Sequence, residues 1–122
     1  MIGTVQYARV VFDSWGAGQS TGTRSCAALD DRALLFRVGR VCVDFILQGQ
    51  TNADSLACGQ IVNEDDGSPV ANVPVRLGQR GLPSTTDELG QFAVTCHAEE
   101  RPDILTIQCT DGQITCPIPS IS

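Results

Sequence analysis

The chain has 122 residues, of which 42% are hydrophobic and 18% charged; such a balance supports one compact core and excludes a disordered or fibrous chain. Its longest apolar runs, among them Val10-Val11-Phe12 and Ala33-Leu34-Leu35-Phe36, fall far short of the roughly 20 residues that a membrane-crossing helix needs, so no membrane insertion is expected. A formal charge of −6, from 14 acidic residues against eight arginines and no lysine, argues against nucleic acid, because a phosphate-binding surface needs clustered cations. Arg32, Arg37 and Arg40 form the one local group, and it is expected to solvate an exposed strand face.

Thr4 to Phe12 reads as one strand, with Val5, Tyr7, Arg9 and Val11 alternating with Gln6, Ala8, Val10 and Phe12. Residues 13–23 are small, polar and glycine-rich, as in a loop. Trp15 opens that loop; a tryptophan leaving a strand usually closes the end of a sandwich, although Trp15 and Tyr7 are also the two aromatic candidates for an interaction surface. Arg32–Val38 and Val41–Leu47 then form a hairpin across Gly39-Arg40, whose leading glycine suits a type II′ turn. Leu34 and Phe36 share one face of the first strand, and Val41, Val43, Phe45 and Leu47 share one face of the second. Residues 48–55 read as a polar connector.

The stretch from Ala57 to Val94 carries the most information. Ile61 and Val62 end an apolar run at Asn63-Glu64-Asp65-Asp66-Gly67. Pro69 opens a second run, in which Val73, Val75 and Leu77 alternate with Pro74 and Arg76. Proline has no N–H to donate to a ladder, so Pro74 places this second strand at a sheet border. Asp87 and Gly90 bracket a tight turn, after which Phe92 and Val94 resume the alternation. Ile104–Cys109 and Gln113–Cys116 make a closing hairpin around Asp111-Gly112. The order G-x-P-V-x-x-V-x-V-x-L followed by T-D-E-x-G-x-F resembles the carboxypeptidase regulatory-like domain, a relative of the transthyretin (prealbumin) fold. The resemblance covers about the C-terminal half, residues 57–118, and residues 1–47 add N-terminal strands and a hairpin to it. The expected architecture is therefore all-β: one prealbumin-like Greek-key β-sandwich of seven or eight strands over residues 1–122.

The resemblance implies an accessory role, since such domains are usually non-catalytic, and the sequence agrees when catalytic groups are counted. Intradiol ring-cleaving dioxygenases, which share a related sandwich, hold iron with two tyrosines and two histidines. This chain has only Tyr7 and His97. A hydroxyisourate hydrolase would need several histidines and a C-terminal Tyr-Arg-Gly-Ser, whereas this chain ends Ile118-Pro119-Ser120-Ile121-Ser122. Cys96 beside His97 does not make a nucleophile and its base, because adjacent strand residues point to opposite faces. Glu64-Asp65-Asp66 and Glu99-Glu100 lack the ligand spacing of a calcium loop.

Six cysteines, at 26, 42, 58, 96, 109 and 116, allow two principal readings. An even number suits three disulfides in a secreted domain. The start Met1-Ile2-Gly3-Thr4-Val5 lacks the basic, apolar and small-residue regions of a secretory signal, and Cys96 and Cys109 continue apolar strand faces as small buried hydrophobes do. Zinc is disfavoured, since Cys109 and Cys116 are too widely spaced for a knuckle. No cofactor and no metal are expected. The sequence thus points to a non-enzymatic protein-interaction or accessory module, cytoplasmic and part of a larger bacterial assembly, with a protein partner or self-assembly. The alternative is an extracellular, disulfide-stapled module that binds carbohydrate or peptide, stacking it on Trp15 or Tyr7.

Overall fold

The structure, a computed structural model, describes residues 4–14, 31–48, 55–79, 82–96, 103–109 and 112–119. These form ten strands and no helix: β1 (Thr4–Tyr7), β2 (Arg9–Asp13), β3 (Asp31–Val38), β4 (Val41–Gln48), β5 (Ser55–Asn63), β6 (Pro74–Leu77), β7 (Ser84–Thr85), β8 (Gln91–Cys96), β9 (Ile104–Cys109) and β10 (Gly112–Pro117). They assemble into two five-stranded sheets in a sandwich-like arrangement, one ordered β1-β10-β9-β6-β7 and the other β2-β3-β4-β5-β8. The N-terminal hairpin joins the C-terminal half directly, since β4 pairs antiparallel with β5 from Val41↔Asn63 to Gln48↔Leu56.

The core lies between the sheets and follows the period of two that the strands display. Leu34, Phe36, Val43, Phe45, Leu47, Ala57, Ile61, Phe92 and Val94 come from one sheet; Val75, Leu77, Leu105, Ile107, Ile114 and Cys116 come from the other. Phe36 and Phe45 stack with centroids 5.9 Å apart, and Phe92 meets Phe45 at 6.3 Å in a tilted arrangement. Between Phe45 and Phe92 in the register stands Gly59, whose missing side chain leaves room for the two rings to meet. Each ring removes a large apolar area from water at about 25 cal/mol per Å².

Three turns hold the expected geometry. In the β3–β4 hairpin Gly39 has φ 56° while Arg40 stays outside the left-handed region, as a II′ turn requires. Asp87 Oδ1 accepts bonds from the amides of Leu89 and Gln91, both at 2.9 Å, and the amide of Gly90 donates to Asp87 O. Asn63 begins the turn that returns to the bridge between Val62 and Pro69. The buried Thr86 is a further anchor: its hydroxyl accepts from the amide of Val73 at 3.1 Å and donates to Val70 O at 2.9 Å. These bonds hold the segment in which Asn72 has φ 61°.

Five expectations are corrected. The strands number ten rather than seven or eight, because the first run divides in two and the short β7 (Ser84–Thr85) was not foreseen. The stretch read as one strand from Thr4 to Phe12 is two strands in different sheets: β1 runs parallel to β10, and β2 runs antiparallel to β3. The break falls at Ala8, which is buried and donates its amide to Thr115 O at 2.8 Å before the chain crosses to the second sheet. The strand with Pro74 is not itself the border, because β7 pairs outside it through Pro74↔Thr85 and Val75↔Ser84. In the last hairpin Gly112 pairs with Cys109, so Gly112 starts β10 rather than turning it, and the intervening residues 110 and 111 lie outside the described ones. Arg32 does not solvate a surface; it is buried with 5% of its area exposed.

Arg32 shares the inward face of β3 with Leu34 and Phe36, as the period of two requires, and the position of its carboxylate partner follows from a bulge. The β2–β3 register shifts between Val10↔Phe36 and Phe12↔Leu35, so Val11 is an extra residue in β2. Without it Phe12 would point inward, like Val10. With it Phe12 faces out, half-exposed, and Asp13 turns inward opposite Leu34. There its carboxylate takes Arg32 Nε on Oδ1 at 2.9 Å and Nη2 on Oδ2 at 2.6 Å, and Nη2 also donates to Pro119 O at 2.9 Å. One guanidinium therefore ties the end of β2, the start of β3 and the chain beyond β10.

Candidate functional site

A sandwich offers partners its faces and its four outer strands, and natural edges are usually guarded by shortness, charge, proline or bulges. β7 has two residues and β1 has four. β2 carries the Val11 bulge together with Arg9 and Asp13. β8 is different. Its six residues, Gln91-Phe92-Ala93-Val94-Thr95-Cys96, contain no charge and no proline, and its pairing with β5 runs without a shift from Ser55↔Cys96 to Gln60↔Gln91. No described strand pairs with the other edge of β8.

Beside this edge, on the outer face of the same sheet, lies an open depression of about 410 Å³ lined by Asp44, Ile46, Cys58, Gln60 and Gln91 over the backbone of Phe45, Gly59 and Phe92. The register explains it: Asp44↔Gln60↔Gln91 and Ile46↔Cys58↔Ala93 are neighbouring outward rows. Ile46 and Cys58 are exposed there. Phe12 and Leu35 extend the first row toward β2, which makes the face partly apolar. Asp44 has no cation partner among the described residues, and the turn leading into β8 adds Asp87 and Glu88. Gln60 Nε2 donates to Leu89 O at 2.8 Å, fixing that turn against the face. Asp87 takes both the amide and the carbonyl of Gln91, so the surface combines the outward backbone groups of Ala93 and Thr95, which no described strand pairs, with an apolar hollow and negative charge.

The charged groups around the 63–67 turn are structural. Arg37 bonds Glu64, and Arg40 Nη1 reaches Asp65 Oδ2 at 2.7 Å, so the exposed 63–67 turn is tied to the β3–β4 hairpin. Hydrogen bonds from the hydroxyl and the amide of Ser68 hold the Asp66 carboxyl below its usual value. Cys42, Cys58 and Cys116 are free thiols, and Cys26 lies outside the described residues. No group of three His, Cys, Asp or Glu side chains converges among the described residues. No helix there is long and apolar enough to cross a membrane.

Cys116 is fully buried, and loss of solvent pushes its thiol up to about 12 from the ordinary 9.0. As pH rises, the unfolded chain therefore loses this proton first. The resulting stability is fully present below about pH 9 and is lost between there and pH 12. Urea denaturation between about pH 8 and pH 10 is expected to show stability falling, with this one proton contributing up to about 1.4 kcal/mol per pH unit. Cys116→Ala should be less stable throughout but have a flatter profile. An unchanged slope would contradict the assignment.

Of the two aromatic candidates, Tyr7 ends β1, opposite Thr115, with 69% of its area exposed; Trp15 lies outside the described residues, as do His97, Glu99 and Glu100. Neither the β8 edge nor Asp44 stood out in the sequence. A strand's neighbours, and so its status as an edge, depend on long-range pairing that local periodicity does not carry. No family model, no curated protein and no solved structure matches the chain.

Proposed function

We propose that the chain is a non-enzymatic protein-interaction module, an accessory subunit of a larger bacterial assembly, that receives an extended segment of another protein along β8. Its domain type, on this reading, is the carboxypeptidase regulatory-like one, with prealbumin-like Greek-key connections in the 57–118 half. The observation that carries the proposal is the uncharged, proline-free and regular outer edge of β8 from Ala93 to Thr95, beyond Gln91, whose amide and carbonyl are both taken by Asp87. Strand addition draws affinity from main-chain hydrogen bonds and specificity from pockets for alternate side chains, and the hollow beside Ala93 supplies such a pocket.

Charge decides between a second copy and a different partner. At −6, two copies repel one another, and Asp44, Asp87 and Glu88 surround the start of the edge. A segment with basic residues next to an apolar anchor complements it.

Photo-crosslinking from a benzophenone side chain at Ala93, in the native source, tests this. One heterologous protein should be captured, and Thr95→Pro, which removes a backbone donor from the edge, should abolish the adduct. Absence of any adduct, capture of a second copy of this chain alone, or an adduct indifferent to Thr95→Pro would each contradict the proposal.

A further inference from the structure

The opposite sheet carries a second feature that strand addition at β8 does not use. On its outer face, the register aligns Tyr7↔Thr115↔Thr106↔Arg76 across β1, β10, β9 and β6. At the Arg76 end is a depression of about 210 Å³ lined by Pro74, Arg76, Pro83, Thr106 and Gln108. Two of its polar groups are open to a ligand. Thr106 points to the outer face yet keeps only 8% of its area exposed, and its hydroxyl makes no hydrogen bond among the described residues. A buried polar group without a partner is costly and rare unless something else completes it. Arg76 is exposed and, like Arg9, pairs with no carboxylate among the described residues, whereas Arg32, Arg37 and Arg40 are all paired.

We infer that this depression binds a sugar acid, a monosaccharide unit bearing a carboxylate. The guanidinium presents a planar fork that matches a carboxylate. The Thr106 hydroxyl and the Gln108 amide, which holds Gly112 O only loosely at 3.4 Å, both donate to and accept from ring hydroxyls. Pro74 and Pro83 offer apolar walls to the C–H face of a ring. The volume is below the roughly 300–1,000 Å³ of sites for drug-sized ligands, in keeping with a single ring. The unit is either a free acid or the end of a longer glycan. Strands repeat about every 4.8 Å, so Tyr7, three strands from Arg76, would lie beneath a later ring of a chain running along the row.

Amide chemical-shift titration with sodium galacturonate, trigalacturonate, glucose and sodium acetate tests this. Galacturonate should give saturable shifts at Arg76, Thr106 and Gln108, with glucose and acetate each at least about tenfold weaker. Arg76→Gln, at an exposed position that leaves the fold intact, should weaken galacturonate binding about tenfold or more, and Thr106→Val by several-fold. Trigalacturonate binding tighter than the monomer, with added shifts at Tyr7, supports a glycan; equal binding supports a free acid. Galacturonate and glucose binding alike, acetate binding as well as galacturonate, or no saturation up to about 20 mM would overturn the inference.

Discussion

Asp13→Ala is expected to destabilise the protein by about 3–5 kcal/mol, because it removes the carboxylate that takes two of the buried guanidinium's hydrogen bonds. Both side chains keep less than a tenth of their area exposed, and both oxygens of Asp13 are engaged by the guanidinium. Arg32 cannot move to water without also releasing Pro119 O. Arg32→Ala should cost a similar amount, and both should free the chain beyond β10 to exchange amide hydrogens. The pair itself is a different matter. Its formation costs desolvation that its attraction only roughly offsets, so Asp13→Leu with Arg32→Met should lie within about 2 kcal/mol of the unmodified chain. Arg40→Ala, which removes the exposed pair with Asp65, should change stability by less than about 1 kcal/mol. Urea denaturation of the four variants gives the comparison. If Asp13→Ala cost no more than Arg40→Ala, the pair would not be desolvated as described.

Gly59→Ala is expected to cost about 3 kcal/mol, the upper range for overpacking a close-packed interior. A Cβ at Gly59 would stand 2.1 Å from Asp44 O, 2.4 Å from Phe45 Cβ and 2.7 Å from Phe45 Cα. Two of those atoms are backbone in the neighbouring strand, so relief requires β4 and β5 to separate where their ladder is continuous. The Phe45–Phe92 contact should loosen with them, visible as altered ring resonances. Gly39→Ala is the control: nothing lies within 4 Å of its Cβ, and only the left-handed φ of 56° opposes it, a cost of about 1 kcal/mol. Equal losses at the two positions would show that the close approach at Gly59 is not real. Because Gly59 also floors the hollow beside β8, the substitution should weaken partner binding as well.

Much of the fold was legible in the chain. The alternation of Leu34 with Phe36, of Val43 with Phe45 and Leu47, and of Phe92 with Val94 gave the buried faces directly, and the glycine and aspartate turn residues gave the hairpin boundaries. The failures share one physical cause. At Ala8 the chain changes sheet with no turn residue to mark it, because a small buried side chain suffices there. At Val11 the bulge reverses the parity of the strand, so Phe12 and Asp13 take the sides opposite to those that period two assigns. That reversal brought Asp13 to Arg32, whose inward place beside Leu34 and Phe36 was legible from the period of β3 but was overridden by its charge. The β8 edge was hidden for a related reason: whether a strand is central or outermost is settled by partners far away in sequence.

The central claim is that the outer edge of β8 stays open until a partner strand fills it. Hydrogen exchange of the Ala93 and Thr95 amides, in the isolated protein and in the assembly captured from the native source, measures this most directly. The account predicts fast exchange in the isolated chain for those amides of β8 that do not face β5, and strong protection in the assembly. Protection already complete in the isolated protein, or fast exchange unchanged in the assembly, would contradict it.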